Sequence, residues 1–129
     1  MNTVSGTGSS TIERINTLLL TNMKNILNEE KHNNNCINLY DVGEYWVAFE
    51  KSAYQLEKLA KDEHEAMVLY IKNHPFPIVM QSIHHKRVND MCHNHIMTKK
   101  GMEYLQLVTR PIDKVIYDKW YKEHMIEYD

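Results

Sequence analysis

The chain has 129 residues, of which 43% are hydrophobic and 25% charged, and its formal net charge is −2. This length and balance fit one globular domain with a single hydrophobic core, and they exclude extensive disorder. The near-neutral charge argues against strong non-specific binding to nucleic acid, because such binding depends on neutralising phosphates.

The sequence has no pattern typical of a membrane or exported protein. No apolar run approaches the roughly 20 residues that cross a bilayer. The first ten residues have neither a basic region nor an apolar stretch, so we expect no export signal. The two cysteines, Cys36 and Cys92, are too few for a disulfide scaffold. We therefore expect a cytoplasmic protein without membrane contact.

The first part of the chain predicts a tail followed by a helix. Residues 1–9 are small and polar and predict a flexible tail, whereas residues 10–129 form the domain. Ser10 and Glu13 fit a capping box, in which each side chain bonds a backbone amide of the first turn. Apolar residues then recur at helical spacing, which predicts an amphipathic helix over Thr11–Lys31.

The next segments predict a hairpin and a second helix. Residues Cys36–Tyr40 alternate in polarity as a strand does, Val42–Glu44 supply a turn, and Tyr45–Phe49 read as a second strand. From Glu50 the apolar spacing becomes helical and predicts a short helix that ends near Lys61. Its inner face is formed by Ala53, Leu56, Leu59 and Ala60.

The second half of the chain continues the alternation. We predict strands over Ala66–Ile71 and Ile78–Ile83, a helix over Lys86–Lys100, a strand over Met102–Val108 and a terminal helix. The third predicted helix buries Val88, Met91, Cys92, His95 and Ile96 and stops at Gly101. The order α-β-β-α-β-β-α-β-α predicts an α/β fold of the α+β type, a mixed β-sheet flanked by helices.

Five potential metal ligands fall within a dozen residues, at His84, His85, Cys92, His93 and His95. Their spacing lacks the paired pattern of a zinc site and places them on different faces of a strand-to-helix segment. We therefore expect Cys92 and His95 to pack inward and the other three to be solvated. On this reading the chain binds no metal ion and no cofactor.

Aromatic residues are concentrated in the second predicted strand. Tyr45, Val47 and Phe49 share one face, and Trp46 and Ala48 share the other, a pattern typical of a strand buried on both sides. Tyr45 lies next to the turn, where a ring can project outward and stack. A locally basic surface is formed on the predicted 86–100 helix by Lys86, Arg87, Lys99 and Lys100. Such a surface is usually solvated, but it also suits phosphate.

Catalytic signatures are absent from the sequence. There is no phosphate-binding glycine loop of the GxxxxGK type, no nucleophile elbow and no CxxC pair. We therefore expect a non-enzymatic protein. An acid–base site built from Asp41, Glu44 and the histidines is a third and weaker alternative, because nothing in their spacing requires it.

The segment Gly43–Phe49, with the strand before it from Ile37, resembles the N-terminal mismatch-recognition domain (domain I) of MutS-type DNA repair proteins. That domain has a strand, a Gly-acid-aromatic-aromatic-Glu-x-Phe segment and then a helix, and the predicted helix from Glu50 continues the match. A second and less specific block runs from Pro77 through His84-His85 to the last strand. The resemblance covers about residues 12–109.

The resemblance implies a stand-alone domain that binds mismatched or distorted DNA. In the family the first aromatic wedges into the duplex and a glutamate two residues later bonds the displaced base. The wedge position corresponds to Tyr45, and the glutamate position to Val47, which cannot form that bond. The candidate DNA-binding residues are Tyr45 and Trp46, from this segment, together with Lys86, Arg87, Lys99 and Lys100, from the basic surface of the predicted 86–100 helix. The family's connector, lever, clamp and ATPase have no counterpart in this sequence.

The alternative function is a protein-interaction or assembly domain that kept the fold and lost DNA recognition. It is favoured by the acidic stretch 62–65 and by the aromatics of the terminal helix, which exceed one buried stripe. These aromatics are Tyr117, Trp120, Tyr121 and Tyr128. The exposure of Tyr45 separates the two hypotheses. A ring exposed beside a basic surface favours DNA, and a ring packed in the core favours a protein partner or a homo-oligomer.

Overall fold

The computed structural model describes residues 7–60, 66–71, 74–101 and 103–126. Within these ranges the side chains of residues 7–10, 94, 98–100 and 126 are not described. Residues 1–6 of the predicted tail, the acidic stretch 62–65 and Tyr128 lie outside the described residues.

The described residues form four helices and one six-stranded sheet. The helices are α1 (Thr7–Lys31), α2 (Glu50–Leu59), α3 (His85–Asn94) and α4 (Lys114–Ile126). The strands are β1 (Cys36–Asp41), β2 (Tyr45–Phe49), β3 (Met67–Leu69), β4 (Ile78–His84), β5 (Met97–Lys100) and β6 (Tyr104–Val108). Their order is β3-β4-β2-β1-β6-β5. The α+β class is confirmed. Each described strand pair is antiparallel, so the sheet is more uniform in direction than predicted.

The hydrophobic core lies on both faces of the sheet. Because side chains alternate along a strand, β2 sends Val47 and Phe49 to the face that α1 covers, and Trp46 and Ala48 to the face that α2 and α3 cover. The prediction that this strand is buried on both sides is confirmed. A smaller cluster joins α4 to α2 and β3, where Trp120 packs against buried alanine and valine side chains.

A buried carboxylate ties α1 to the hairpin and to α2. Glu30 is 2% exposed, and its oxygens accept hydrogen bonds from Asn33 Nδ2, Asn38 Nδ2, Ser52 N–H and Ser52 Oγ at 2.7–3.2 Å. Asn38 N–H donates to Ser52 Oγ at 2.8 Å. A side chain of α2 accepts this bond because β2 ends at Phe49 and α2 begins at the next residue. Burial raises the pKa of Glu30, and these four hydrogen bonds oppose the rise.

The junction between β2 and α2 holds an unusual backbone conformation. Glu50 has φ +51°, in the left-handed region that non-glycine residues rarely adopt. Its Oε2 accepts the N–H of Val79 at 2.9 Å, and the hydroxyl of Tyr121 bonds the same carboxyl. Burial raises the pKa of Glu50 to about 7. These contacts hold the chain in the turn that directs α2 back across the sheet.

The beginning of α1 differs from the prediction. The helix starts at Thr7, so residues 7–9 of the predicted tail are helical and Ser10 lies inside the helix rather than at its cap. The predicted capping box at Ser10 and Glu13 is therefore wrong. Small polar residues disfavour a helix interior only weakly, so their composition does not fix where the helix begins.

The predicted 86–100 helix is also wrong in its second half. It ends at Asn94, and residues Met97–Lys100 form β5 instead, paired with β6. Gly101 lies in the turn between these strands, where its N–H donates to the carbonyl of Tyr104 at 2.7 Å, and is not a helix stop. In the fold, the edge of β6 provides backbone hydrogen-bond partners for Met97–Lys100. The spacing of apolar residues in the sequence does not show that such an edge is present. Two residues predicted to face inward, Leu59 and Ile96, are exposed.

Candidate nucleic-acid interface

One end of the sheet collects most of the candidate residues. At this end His84 closes β4, Tyr45 opens β2, Asp41 closes β1 and Lys100 closes β5. The strand register aligns them, because Tyr45 lies opposite His84 and Asp41 lies opposite Trp46. Helix α3 begins here as well. We call this surface the Tyr45 end.

The ring of Tyr45 is held at the surface of this end. Tyr45 is 36% exposed, whereas Val47, on the same face of the strand, is fully buried under α1. The Tyr45 ring packs edge-on against the ring of His84, with the centroids 5.5 Å apart and the planes at 81°. The Tyr45 ring is therefore supported by His84 and is partly open to solvent.

His84 links the tyrosine to the start of α3. Its Nδ1 accepts the N–H of Lys86 at 3.2 Å and so caps the helix. Helix N-termini carry a partial positive charge that attracts anions. Lys86 is exposed in this first turn and Arg87 is half-buried. The backbone of Lys86 thus reaches the Tyr45 end through His84, and Arg87 follows it in the first turn of α3.

The second histidine is committed to internal contacts. His85 Nε2 lies 3.3 Å from Asp41 Oδ1, and the same oxygen accepts the N–H of Gly43 at 2.9 Å. The His85 ring packs on Trp46 with centroids 5.1 Å apart. His84 and His85 are therefore half-buried rather than solvated as predicted, because each supports an aromatic ring of β2.

The acid–base alternative gains a His85–Asp41 pair, but the imidazole does not line the neighbouring cavity. His85 and Asp41 are within hydrogen-bond distance, as a catalytic pair would require. The cavity beside Asp41, however, is lined by α1, Tyr40 and Glu103, and neither His84 nor His85 lines it.

The turn between β1 and β2 brings α1 to the same end. Gly43 has φ +114°, and a Cβ at this position would lie 3.2 Å from Thr11 Oγ1 and 3.7 Å from an Arg14 guanidinium nitrogen. Glycine is required here both for the backbone angle and for this close approach. Arg14 therefore lies beside the turn, and it forms an exposed ion pair with Glu103 at 3.7 Å. Sequence reasoning missed Arg14, because it lies about 30 positions before Tyr45.

The structure differs from the prediction at three of the contact residues, Trp46, Lys99 and Lys100. Trp46 is 7% exposed and packs in the core beneath His85, so it cannot contact a base as predicted. Lys99 and Lys100 belong to β5 and not to a helix, and their side chains lie outside the described residues. The backbone of Lys100 does reach the Tyr45 end, through its pairing with Leu105 of β6.

Aromatic side chains of the terminal helix that were expected at a binding surface pack against α2 instead. Tyr117 is buried, and the rings of Tyr117 and Trp120 both pack edge-on against Tyr54 of α2. Trp120 Nε1 also donates to Glu57 at 2.9 Å. Of the aromatics that favoured an interaction domain, those in the described part of α4 therefore serve to dock this helix.

The described residues form neither a metal site nor a membrane-spanning helix. Within the described ranges, no three His, Cys, Asp or Glu side chains come together in a group that could hold a metal ion. None of the helices in the described part of the chain combines the length and hydropathy of a membrane span.

Comparison with protein-family models, with curated proteins and with solved structures finds no match for this chain. The resemblance to the MutS mismatch-recognition domain therefore stays a prediction from the segment Gly43–Phe49, because the glycine-closed helix of its second block is not formed.

Proposed function

We propose that this chain is a non-enzymatic nucleic-acid-binding domain that stacks a base on Tyr45 and places phosphates at the first turn of α3. The observation that carries this proposal is the exposed, supported ring of Tyr45 beside the N-terminus of α3. An exposed ring next to a basic surface is the arrangement that distinguishes a nucleic-acid site from a buried core residue.

The proposed site favours bases that are already unstacked. Stacking on an aromatic side chain contributes about 1–3 kcal/mol per base, and it requires a base whose face is accessible. Single strands and loops provide such bases, whereas the bases of a duplex are stacked on their neighbours. Lys86 and Arg87 supply the electrostatic part of the interaction. Because Asp41 and Glu44 lie at the same end and the chain has a net charge of −2, we expect modest affinity that falls as salt rises.

Mismatch discrimination of the MutS kind is not part of the proposal. The position that corresponds to the family's glutamate is Val47, which is fully buried under α1. No side chain at this position reaches a base edge while the strand keeps its register. We therefore propose recognition by stacking and shape, not by hydrogen bonds to a displaced base.

The proposal is tested by comparing labelled DNA ligands at low salt by fluorescence anisotropy. The ligands are a single-stranded oligonucleotide, the matched duplex and the same duplex with one mismatch. We expect the single strand to bind most tightly and both duplexes to bind more weakly and alike. Absence of binding to all three at about 50 µM protein would contradict the proposal, because non-specific binders generally reach that affinity.

A further inference from the structure

A second groove lies at the opposite end of the sheet from Tyr45. It has a volume of about 560 Å³ and is formed where α2 and β6 end and where the chain passes from α3 to β5. The side chains that determine its character are Lys58, Leu59, His95, Ile96, Val108 and Arg110.

The walls of this groove are fixed by hydrogen bonds. Gln55 Nε2 donates to Thr109 Oγ1 at 2.6 Å and to the carbonyl of Arg110 at 3.0 Å, which joins α2 to the segment after β6. The N–H of Val108 donates to the carbonyl of Ile96 at 2.8 Å. A ligand would therefore enter a preformed groove and would not have to order its walls.

Aliphatic side chains of the groove are exposed to solvent. Ile96 is 70% exposed and Leu59 is 41% exposed, although helical spacing in the sequence predicts both to be buried. A ligand that covers either side chain removes apolar surface from water, which stabilises the complex by about 25 cal/mol per Å² of buried surface. Aliphatic walls suit aliphatic side chains, whereas nucleic-acid bases are usually held by aromatic rings or arginine planes.

The charged side chains that line the groove in the described part of the chain are basic. They are Lys58 and Arg110, and no described aspartate or glutamate lines the groove, although the formal net charge of the chain is −2. Lys58 Nζ lies 5.1 Å from the centroid of the buried Tyr54 ring. His95 Nδ1 lies 3.1 Å from the carbonyl of Met91. Since a carbonyl only accepts, Nδ1 carries the hydrogen and Nε2 remains to interact with a ligand.

From these observations we infer that the groove docks an acidic peptide segment of a partner protein, with spaced aliphatic side chains between its carboxylates. The aliphatic side chains would cover Ile96 and Leu59, and the carboxylates would pair with Lys58 and Arg110. Shape and charge complementarity of this kind provide specificity in peptide grooves. This site is separate from the Tyr45 end and does not depend on nucleic-acid binding.

The inference is tested with a fluorescein-labelled peptide in which leucines, spaced as on one helix face, alternate with glutamates. Two matched peptides replace either the glutamates by lysines or the leucines by serines. We expect only the leucine–glutamate peptide to bind in anisotropy titrations. Absence of its binding, or equal binding of the leucine–lysine peptide, would overturn the inference.

Substitutions locate the binding surface. Ile96→Ser and the Lys58→Glu/Arg110→Glu pair should each weaken peptide binding by roughly tenfold or more, as is usual for central interface residues. Val115→Ser is the matched control, because Val115 is 78% exposed on α4, away from the groove. Equal effects of Ile96→Ser and Val115→Ser would overturn the inference. Circular dichroism establishes that each variant is folded.

The two proposed sites can fail independently. Tyr45→Ala should leave peptide binding unchanged, because Tyr45 lies at the other end of the sheet. If Lys58→Glu/Arg110→Glu weakens oligonucleotide binding and Tyr45→Ala does not, then the groove is a nucleic-acid surface and the peptide inference is wrong.

Discussion

The rings of Tyr45 and His84 pack edge to face across neighbouring strands, although these residues are 39 positions apart in the sequence. The same histidine caps α3 through its Nδ1. One side chain therefore supports the exposed ring and fixes the beginning of the basic helix. The proposed stacking at Tyr45 and the proposed phosphate contacts at α3 would thus both depend on His84.

His84→Ala should weaken both functions of that residue. Loss of the cap is expected to lower the free energy of unfolding by about 1 kcal/mol, and the unsupported Tyr45 ring should lower oligonucleotide affinity. Chemical denaturation and anisotropy measure the two effects. His93→Ala, an exposed histidine on the same helix, is the control. A His84→Ala protein with unchanged affinity would show that Tyr45 needs no support.

Val47→Glu recreates the residue pattern of the MutS family but should not create mismatch recognition. The new carboxylate would be placed among Leu19, Phe49 and Met80 under α1, without a partner. Burying an unpaired charge costs at least about 3 kcal/mol, so we expect severe loss of stability by thermal denaturation. Val115→Glu, at an exposed position, should change stability by less than about 0.5 kcal/mol. A stable Val47→Glu protein that prefers mismatched DNA would contradict the register described here.

Glu30 is predicted to be essential for folding although its burial is unfavourable. Glu30→Ala leaves the donors of Asn33, Asn38 and Ser52 without their acceptor and should cost roughly 2–4 kcal/mol. Glu30→Gln retains one acceptor oxygen and should cost less. Denaturation midpoints in urea provide the comparison. Equal losses for the two variants would show that the hydrogen bonds are not what Glu30 contributes.

Glu50 should make the protein less stable as the pH rises. Because its pKa is about 7 in the folded chain and near 4.5 ordinarily, the folded state holds the proton more tightly between these values. Stability is therefore greatest below the ordinary pKa and is lost as the pH rises through 7. Glu50→Gln, which keeps an acceptor for Val79 N–H, should stabilise the protein by roughly 1–3 kcal/mol at about pH 9 and little near pH 4.

Thermal denaturation of wild type and Glu50→Gln across this pH range measures the difference. Buried Glu30, whose pKa is also raised, is present in both proteins, and its charge contributes to the raised pKa of Glu50, so the difference measures Glu50 together with this coupling. A difference that is the same at both ends of the range would contradict the assignment of this pH dependence to Glu50.

Local sequence patterns predict the elements that bury an apolar face. The alternation at Tyr45–Phe49 is confirmed to the residue, and the helices that begin near residues 11, 50 and 112 are found with shifted ends. The pattern fails at β5, where strand formation depends on the unpaired edge of β6 rather than on local spacing. It also cannot show that Trp46 is covered by His85, because that contact requires the tertiary fold.

The candidate site is predictable only in part. Tyr45 stands out because it ends an aromatic strand at a turn, and Lys86 because it precedes a predicted helix. The support from His84 and the approach of Arg14 depend on which strands pair and on where α1 crosses the hairpin. No local pattern contains that information, since the residues concerned come from separate elements.

The central claim is that the exposed ring of Tyr45 binds nucleic acid, and it is tested most directly by titrating a labelled single-stranded oligonucleotide with wild type, Tyr45→Phe and Tyr45→Ala at low salt. Stacking requires the ring and not the hydroxyl, so we predict that Tyr45→Phe binds like wild type and that Tyr45→Ala loses about 1–3 kcal/mol. Tyr70→Ala, another exposed tyrosine, should bind normally. Equal affinities for wild type and Tyr45→Ala would contradict the claim.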